Sequence, residues 1–249
     1  MDYPNTPTQA VTRAIRSSMA FSAVVDIDGV QNPKTGGFWQ PQDAIDAGHK
    51  SIFIRNGTYA SFVVDQSQVT IVGESEADTI IDGGIAAHAI EVSGSFAHIS
   101  MLQVKTTAGG GSGFSGIYQS AGGLSEYHQI NCVNSDASGI AIIVGSVNVI
   151  DQCQVYSEID VNCVYVGAPV TQVTGCYLAS GGSNGVTVSA SGDNARVIGN
   201  HVASCTGTGI LINADAENCV IVANRVTGNT TAQITDNSGT STEAGNDET

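Results

Sequence analysis

Charge is scarce in this chain of 249 residues: Asp, Glu, Lys and Arg make up 12% of it, well below the roughly 25% of an ordinary globular protein. Aromatics are equally thin at 6%, with one Trp, so a core built on large rings is excluded. Basic residues are the rarest class, 8 Lys and Arg against 23 Asp and Glu, for a net charge of -15. A field of that sign repels polyanions, so neither nucleic acid nor an anionic membrane surface is expected as a partner. No apolar run approaches the roughly 20 residues of a membrane span, so membrane insertion is not expected either. Arg13 and Arg16 ahead of Met19 to Val25 give only a poor export signal, because the apolar part is short and Arg13 lies far from Met1. No two of the six Cys have the CxxC spacing of a zinc site. The chain is also too long to be a disulfide-stapled scaffold, and buried reduced thiols are the expectation.

What is abundant is glycine, 30 residues of it, which with few charges points to many tight turns and little helix. Thr6-Pro7 reads as an N-cap with Pro at the first helical position, and Val11, Ala14, Ile15 and Met19 follow at helical spacing. Asp28-Gly29, Asn32-Pro33 and Gly36-Gly37 are turn punctuation. Residues 1–37 are therefore read as an N-terminal helical arm and linker. Residues 38–235 are read as a solenoid, and 236–249 as a polar acidic tail without apolar periodicity. Within the solenoid, Pro41 to Ala47 predicts a short amphipathic helix that caps an open end of the core.

The repeat decides the fold class. Ile117, Ile140, Val164, Val186, Ile210 and Ile234 recur about every 23 residues, all but the last preceded by a small residue and each starting a strand. A second strand carries an aliphatic, Asn or Cys three residues on, then an aliphatic. Examples are Ile150-Cys153-Val155, Val173-Cys176-Leu178, Val197-Asn200-Val202 and Ile221-Asn224-Val226, with His128-Asn131-Val133 and Ile99-Leu102-Val104 as variants. Short strands stacking coil on coil predict an all-β right-handed parallel β-helix. Equivalent residues then form ladders about 4.8 Å apart. Asn131, Asn200 and Asn224 are expected to satisfy buried turn amides, with Cys153 and Cys176 as apolar rungs.

The opening PQDAIDAGHKSIFIRNGTY, with VTIVGES and TIIDGG, resembles the start of phage tailspike domains. VIGNHV and VIVANRV resemble the coil repeat of the pectin-lyase-like single-stranded right-handed β-helices. The likeness spans roughly residues 38 to 234. It implies a fold that hosts pectate lyases, polygalacturonases, sugar epimerases and virion spike or decoration proteins. The Asn-Thr-Asp, Asp-Asp and Gly-His-Gly signatures of the polygalacturonases and the Asp-Pro-His-Glu signature of the epimerases are absent.

Few residues assemble into chemistry. Aligned on Val133 and Val155, Asp136 and Glu158 fall one coil apart, near the roughly 5 Å carboxyl separation of retaining glycosidases. Lys105 and Tyr156 share a strand face and supply a conceivable base. Asp160 joins Asp136 and Glu158 as a candidate calcium ligand set, and no other cofactor is expected. The plainer reading of all three carboxylates is solvated corners on an acidic surface. Tyr118 and Tyr165, two coils apart, suit stacking on sugar rings. Tyr177, His201 and Arg225 lie in an outward polar row with Gln103, Cys132 and Gln154. His128 is read as a structural histidine in the ladder. A second outward row, Ser100, Gln129, Asp151, Thr174, Ile198 and Val222, turns aliphatic toward the C-terminus and suggests a homotrimer contact.

These features favour a virion structural protein, a tailspike or decoration protein located on a phage particle. It would be held to other virion proteins by its N-terminal arm and would bind host surface glycans. The alternative is a secreted or surface polysaccharide lyase or glycoside hydrolase acting on bacterial surface or cell-wall polysaccharide. A bacterial adhesin or carbohydrate-binding module is a third reading.

Overall fold

The computed structural model describes residues 21–29, 36–85, 87–107, 113–135, 141–145, 148–157, 161–180 and 182–249. The N-terminal helical arm expected over residues 6–19 lies outside them. The rest is an all-β right-handed parallel β-helix with very little helix. Each coil contributes one strand to each of three ladders. The first sheet runs from Ala23–Val25 through Thr70–Gly73 and Arg196–Ile198 to Thr242–Ala244. The second runs from Gly57–Ala60 through Gln154–Ser157 and His201–Ala203 to Asp247–Glu248. The third is eight-stranded and runs from Phe62–Val64 to Ala232–Asp236. Strands His98–Thr106 and Ser125–Asn134 serve the first two sheets at once, because only one residue separates those sheets at the corner.

From the coil of Ile99 onward that corner residue has positive φ: Met101, Gln129, Gln152, Gly175, Gly199, Ala223 and Gly245. The next residue turns inward and becomes a rung: Leu102, Ile130, Cys153 and Cys176, then Asn200 and Asn224, all buried. The Asn rungs do what the sequence implied. Asn200 Oδ1 accepts the Cys176 amide at 2.9 Å, and its Nδ2 donates to Val173 O at 2.9 Å. Asn224 repeats this one coil on, accepting the Asn200 amide at 3.0 Å and donating to Val197 O at 2.8 Å.

Asn131 is not one of these rungs. The register pairs Ile130 with Leu102 and Asn131 with Gln103. In that coil the pattern slides by one, since Tyr127 takes the aliphatic position opposite Ile99 and Ile150. Its hydroxyl donates to buried Gln119 Oε1 at 2.7 Å, which is how a large polar ring is accommodated in an aliphatic column.

Three further boundaries differ from the sequence reading. Ala23–Val25, placed in the arm and linker, is already a strand of the first sheet with Ala23 and Val25 buried. The strand after Ile117 starts at Ile142, not Ile140. The supposed tail forms the last coil, and Asn246 continues the Asn ladder by accepting the Asn224 amide at 3.0 Å. Its composition hid it, because hydrogen bonding to the previous coil, not apolar periodicity, holds it there.

The helix Pro41–Asp46 packs Ala44 and Ile45 into the first coils, as a cap would. Small residues precede the third-sheet strands for a steric reason. A Cβ on Gly185 would lie 2.2 Å from Val202 Cγ1, and one on Gly209 2.4 Å from Val226 Cγ1. All six Cys are buried, and none is in a disulfide. Burial pushes the Cys132 thiol up to about 12, so it is an inert apolar filler. No helix among the described residues is long and apolar enough to cross a membrane.

Candidate functional site

The three outer faces carry different chemistry. Over the N-terminal part of the third sheet lies a cleft of about 310 Å³ lined by Gln42, Val63, His88, Glu91 and Phe114 among others. The register sets Val63, Glu91 and Tyr118 side by side on successive outward positions. Gln42, from the capping helix, accepts the Val63 amide at 2.8 Å and so closes one wall. His88 stacks on Tyr118 at 4.4 Å and meets Phe114 edge-on at 5.4 Å.

The chemistry of His88 is fixed by its surroundings. Nδ1 accepts the Ser115 amide at 2.8 Å, which leaves Nε2 to carry the proton of the neutral ring. Desolvation lowers its pKa, against the opposing pull of the Glu91 carboxylate. At neutral pH the cleft thus presents an aromatic cluster, one N–H donor and one carboxylate acceptor, a combination suited to a polar ligand with apolar faces. Tyr165 lies two coils above Tyr118 in the same row, with Ile143 between them. His88, Glu91 and Phe114 escaped the sequence reading. The signal was present in HAIEV, whose Glu occupies the outward slot that Tyr takes in the next coil.

On the second sheet, Gln103, Asn131, Gln154, Tyr177, His201 and Arg225 share one outward row. Asn131 stands where Cys132 was expected, and Cys132 is in the core. Tyr177 meets His201 edge-on at 5.0 Å and Tyr156 at 5.9 Å. Lys105 and Tyr156 occupy the neighbouring row with Val133 between them, so the two share a face two coils apart. Asp136, Glu158 and Asp160 lie outside the described residues. In the strands that lead to them the register pairs Val133 with Tyr156, not Val155. Among the described residues no group of three His, Cys, Asp or Glu is placed to hold a metal ion.

On the first sheet His128 is an outward residue in line with Ser100 and Asp151, and Gln129 is the corner. This corrects the placement of both. His128 Nδ1 lies 2.8 Å from Asp151 Oδ2, and Thr174 Oγ1 donates to Asp151 Oδ1 at 2.8 Å. The carboxylate is thereby fixed on both oxygens, and His128 Nε2 is left open. Desolvation raises the Glu76 carboxyl, while the electrostatic influence of His128 acts in the opposite sense. An oriented imidazole and a carboxyl of raised proton affinity are the parts of an acid–base pair.

No protein-family model matches the chain, and no curated protein matches it by sequence. Solved structures do match. Pectin methylesterase PemA from Erwinia chrysanthemi aligns over 93% of this chain and 90% of its own, with a TM-score of 0.69 and 12% identity. The pectin methylesterase of Aspergillus niger aligns over 93% and 86%, with a TM-score of 0.65 and 13% identity. Pectate lyase Pel9A aligns over 94% and 78%, with a TM-score of 0.63 and 12% identity. Identities this low speak to the fold alone: the chain is similar to these proteins in having the pectin-lyase-like β-helix.

Proposed function

We propose that this is a glycan-binding β-helix protein displayed on a virion surface, with the cleft over the third sheet as its binding site. The observation that carries the binding reading is the grouping of His88 and Phe114 beside Glu91 in a concave site, with Tyr118 stacked on His88. Ring C–H faces of a sugar pack on the aromatic cluster, while hydroxyls bond to His88 Nε2–H and the Glu91 carboxylate. The net charge of -15 favours neutral or cationic glycans over uronate polymers. Virion placement rests on the resemblance of residues 41–59 to tailspike openings. An array of bacterial capsular and lipopolysaccharide glycans tests the reading. Tyr118→Ala and His88→Ala should each weaken the best hit about tenfold or more, whereas Tyr177→Ala should leave it unchanged. Loss of binding only in Tyr177→Ala would move the site to the second sheet.

A second reading, a polysaccharide-cleaving enzyme, is favoured by the His128–Asp151–Thr174 chain. A sensitive assay for reducing ends and unsaturated products decides it. Cleavage by the wild type that disappears in His128→Gln supports it, and no cleavage of any glycan that binds dismisses it. Calcium held by Asp136, Glu158 and Asp160 belongs to this reading, and activity that resists chelation would remove it.

A further inference from the structure

Among the described residues, the corner between the third and first sheets also holds a residue at positive φ in successive coils, beginning with Gln68 at 61°. Late in the chain that residue is Asn194 and then Asn218, at φ 58° and 55°. Asn tolerates this conformation better than most side chains. Earlier the same corner holds Phe96, Leu124 and Val170, at φ 58°, 57° and 58°. These are residue types for which the left-handed region is strained, a β-branched Val above all. They are also among the most exposed apolar side chains of the described residues, at 52%, 56% and 48%. Two separate costs, backbone strain and apolar exposure, thus coincide at three corners where Asn or Gly would avoid both. Strain retained at an exposed apolar position is a mark of a contact surface.

The charge pattern identifies the partner. The corner segments 66–70, 92–97, 119–125 and 166–172 contain no Asp, Glu, Lys or Arg, whereas the later corners bring Asp193, Asp215 and Glu217. A basic partner would be met by carboxylates, of which the chain has many to offer. An uncharged ridge on a chain of net charge -15 is instead the line along which like-charged bodies approach with least repulsion. Another copy of the same chain is the partner that carries this very charge. Its ridge also repeats at the same coil spacing, so parallel copies set apolar corner against apolar corner rung by rung.

We propose that this protein self-associates side by side, with the Phe96–Leu124–Val170 corner ridge at the interface. The Ile198 and Val222 stack that suggested a trimer contact is only half-exposed, which favours the corner ridge over it. Light scattering at micromolar concentration tests the proposal with a triple variant, Phe96→Asn, Leu124→Asn and Val170→Asn. The wild type should show at least twice the 25.4 kDa chain mass. The triple variant should fall to one chain mass with a thermal midpoint no lower than that of the dissociated wild type, because Asn relieves the corner. It should also still bind any glycan the wild type binds, since the ridge is not part of the cleft. Leu124→Cys gives a check that does not depend on the triple variant folding. The native thiols are all buried, so a short bismaleimide should crosslink Leu124→Cys between chains. A monomeric wild type, an assembly that survives the triple variant, or no crosslink in an assembled Leu124→Cys protein would each overturn the proposal.

Discussion

From the coil of Ile142 to that of Val226, the positions that face the axis in all three sheets hold mainly Val, Ile, Leu and Cys, with the Asn rungs fully bonded. The last coil keeps the same register and hydrogen bonds but puts Asp236 opposite Ile212, Glu243 opposite Ile221 and Glu248 opposite Val226. Every sheet therefore ends with a carboxylate where its predecessors have an aliphatic group. Backbone pairing, the Asn ladder and the single aliphatic Ile234, partly buried against the core, suffice to form this coil. The carboxylates in turn make the exposed end a poor template for a further strand, as inward-pointing charges do at sheet edges.

The sharpest way to break this comparison is to move the acid inward. Val202 lies between Leu178 and Val226 and is fully buried, so Val202→Glu buries an unpaired charge. It should cost about 3–5 kcal/mol, on the scale of other uncompensated buried charges. Denaturant unfolding measures it, and a loss below 1 kcal/mol would mean that the central coils are as wet as the last one. Next in size is the Asn ladder. Asn200→Ala orphans the Cys176 amide and Val173 carbonyl and should cost about 1–3 kcal/mol. Asn246→Ala, at the half-exposed end of the same ladder, should cost less than half of whatever Asn200→Ala does.

The smallest effects belong to the last coil itself. Glu243→Leu should stabilise it, by no more than about 0.5 kcal/mol because the site is exposed. The pH dependence has a definite sign. Desolvation, followed by the charges of Asp236 and Glu248, holds the Glu243 carboxyl above its usual range. The folded coil then binds this proton more tightly than the unfolded chain does. Stability from this group is lowest at neutral pH and rises as pH falls through its raised folded value toward the ordinary carboxylate value. Hydrogen exchange at Thr242–Ala244 should slow, after correction for intrinsic rates, between pH 7 and pH 5 in the wild type but not in Glu243→Leu.

The fold was legible because a parallel solenoid repeats its chemistry at each coil, so Val197-Asn200-Val202 and Ile221-Asn224-Val226 announce each other. Register failed where a coil departs from the repeat. Tyr127 in place of an aliphatic made His128 look like the ladder residue, and that slip carried Asn131 and Cys132 to the wrong faces. The last coil was missed because Glu243 and Glu248 remove the pattern that apolar periodicity relies on. The site was only half legible. Tyr118 follows from alternation, but His88 and Phe114 sit on the bends flanking the strands, where no periodic rule places a side chain.

Ligand is expected to enter over the third sheet and not over the polar row of the second. Ring-carbon NMR spectra of isotopically labelled His and Tyr report both faces in one experiment. Titrated with the best-binding glycan, the protein should shift the His88 and Tyr118 resonances while those of Tyr156, Tyr177 and His201 stay fixed. Shifts confined to Tyr156, Tyr177 and His201 would contradict it.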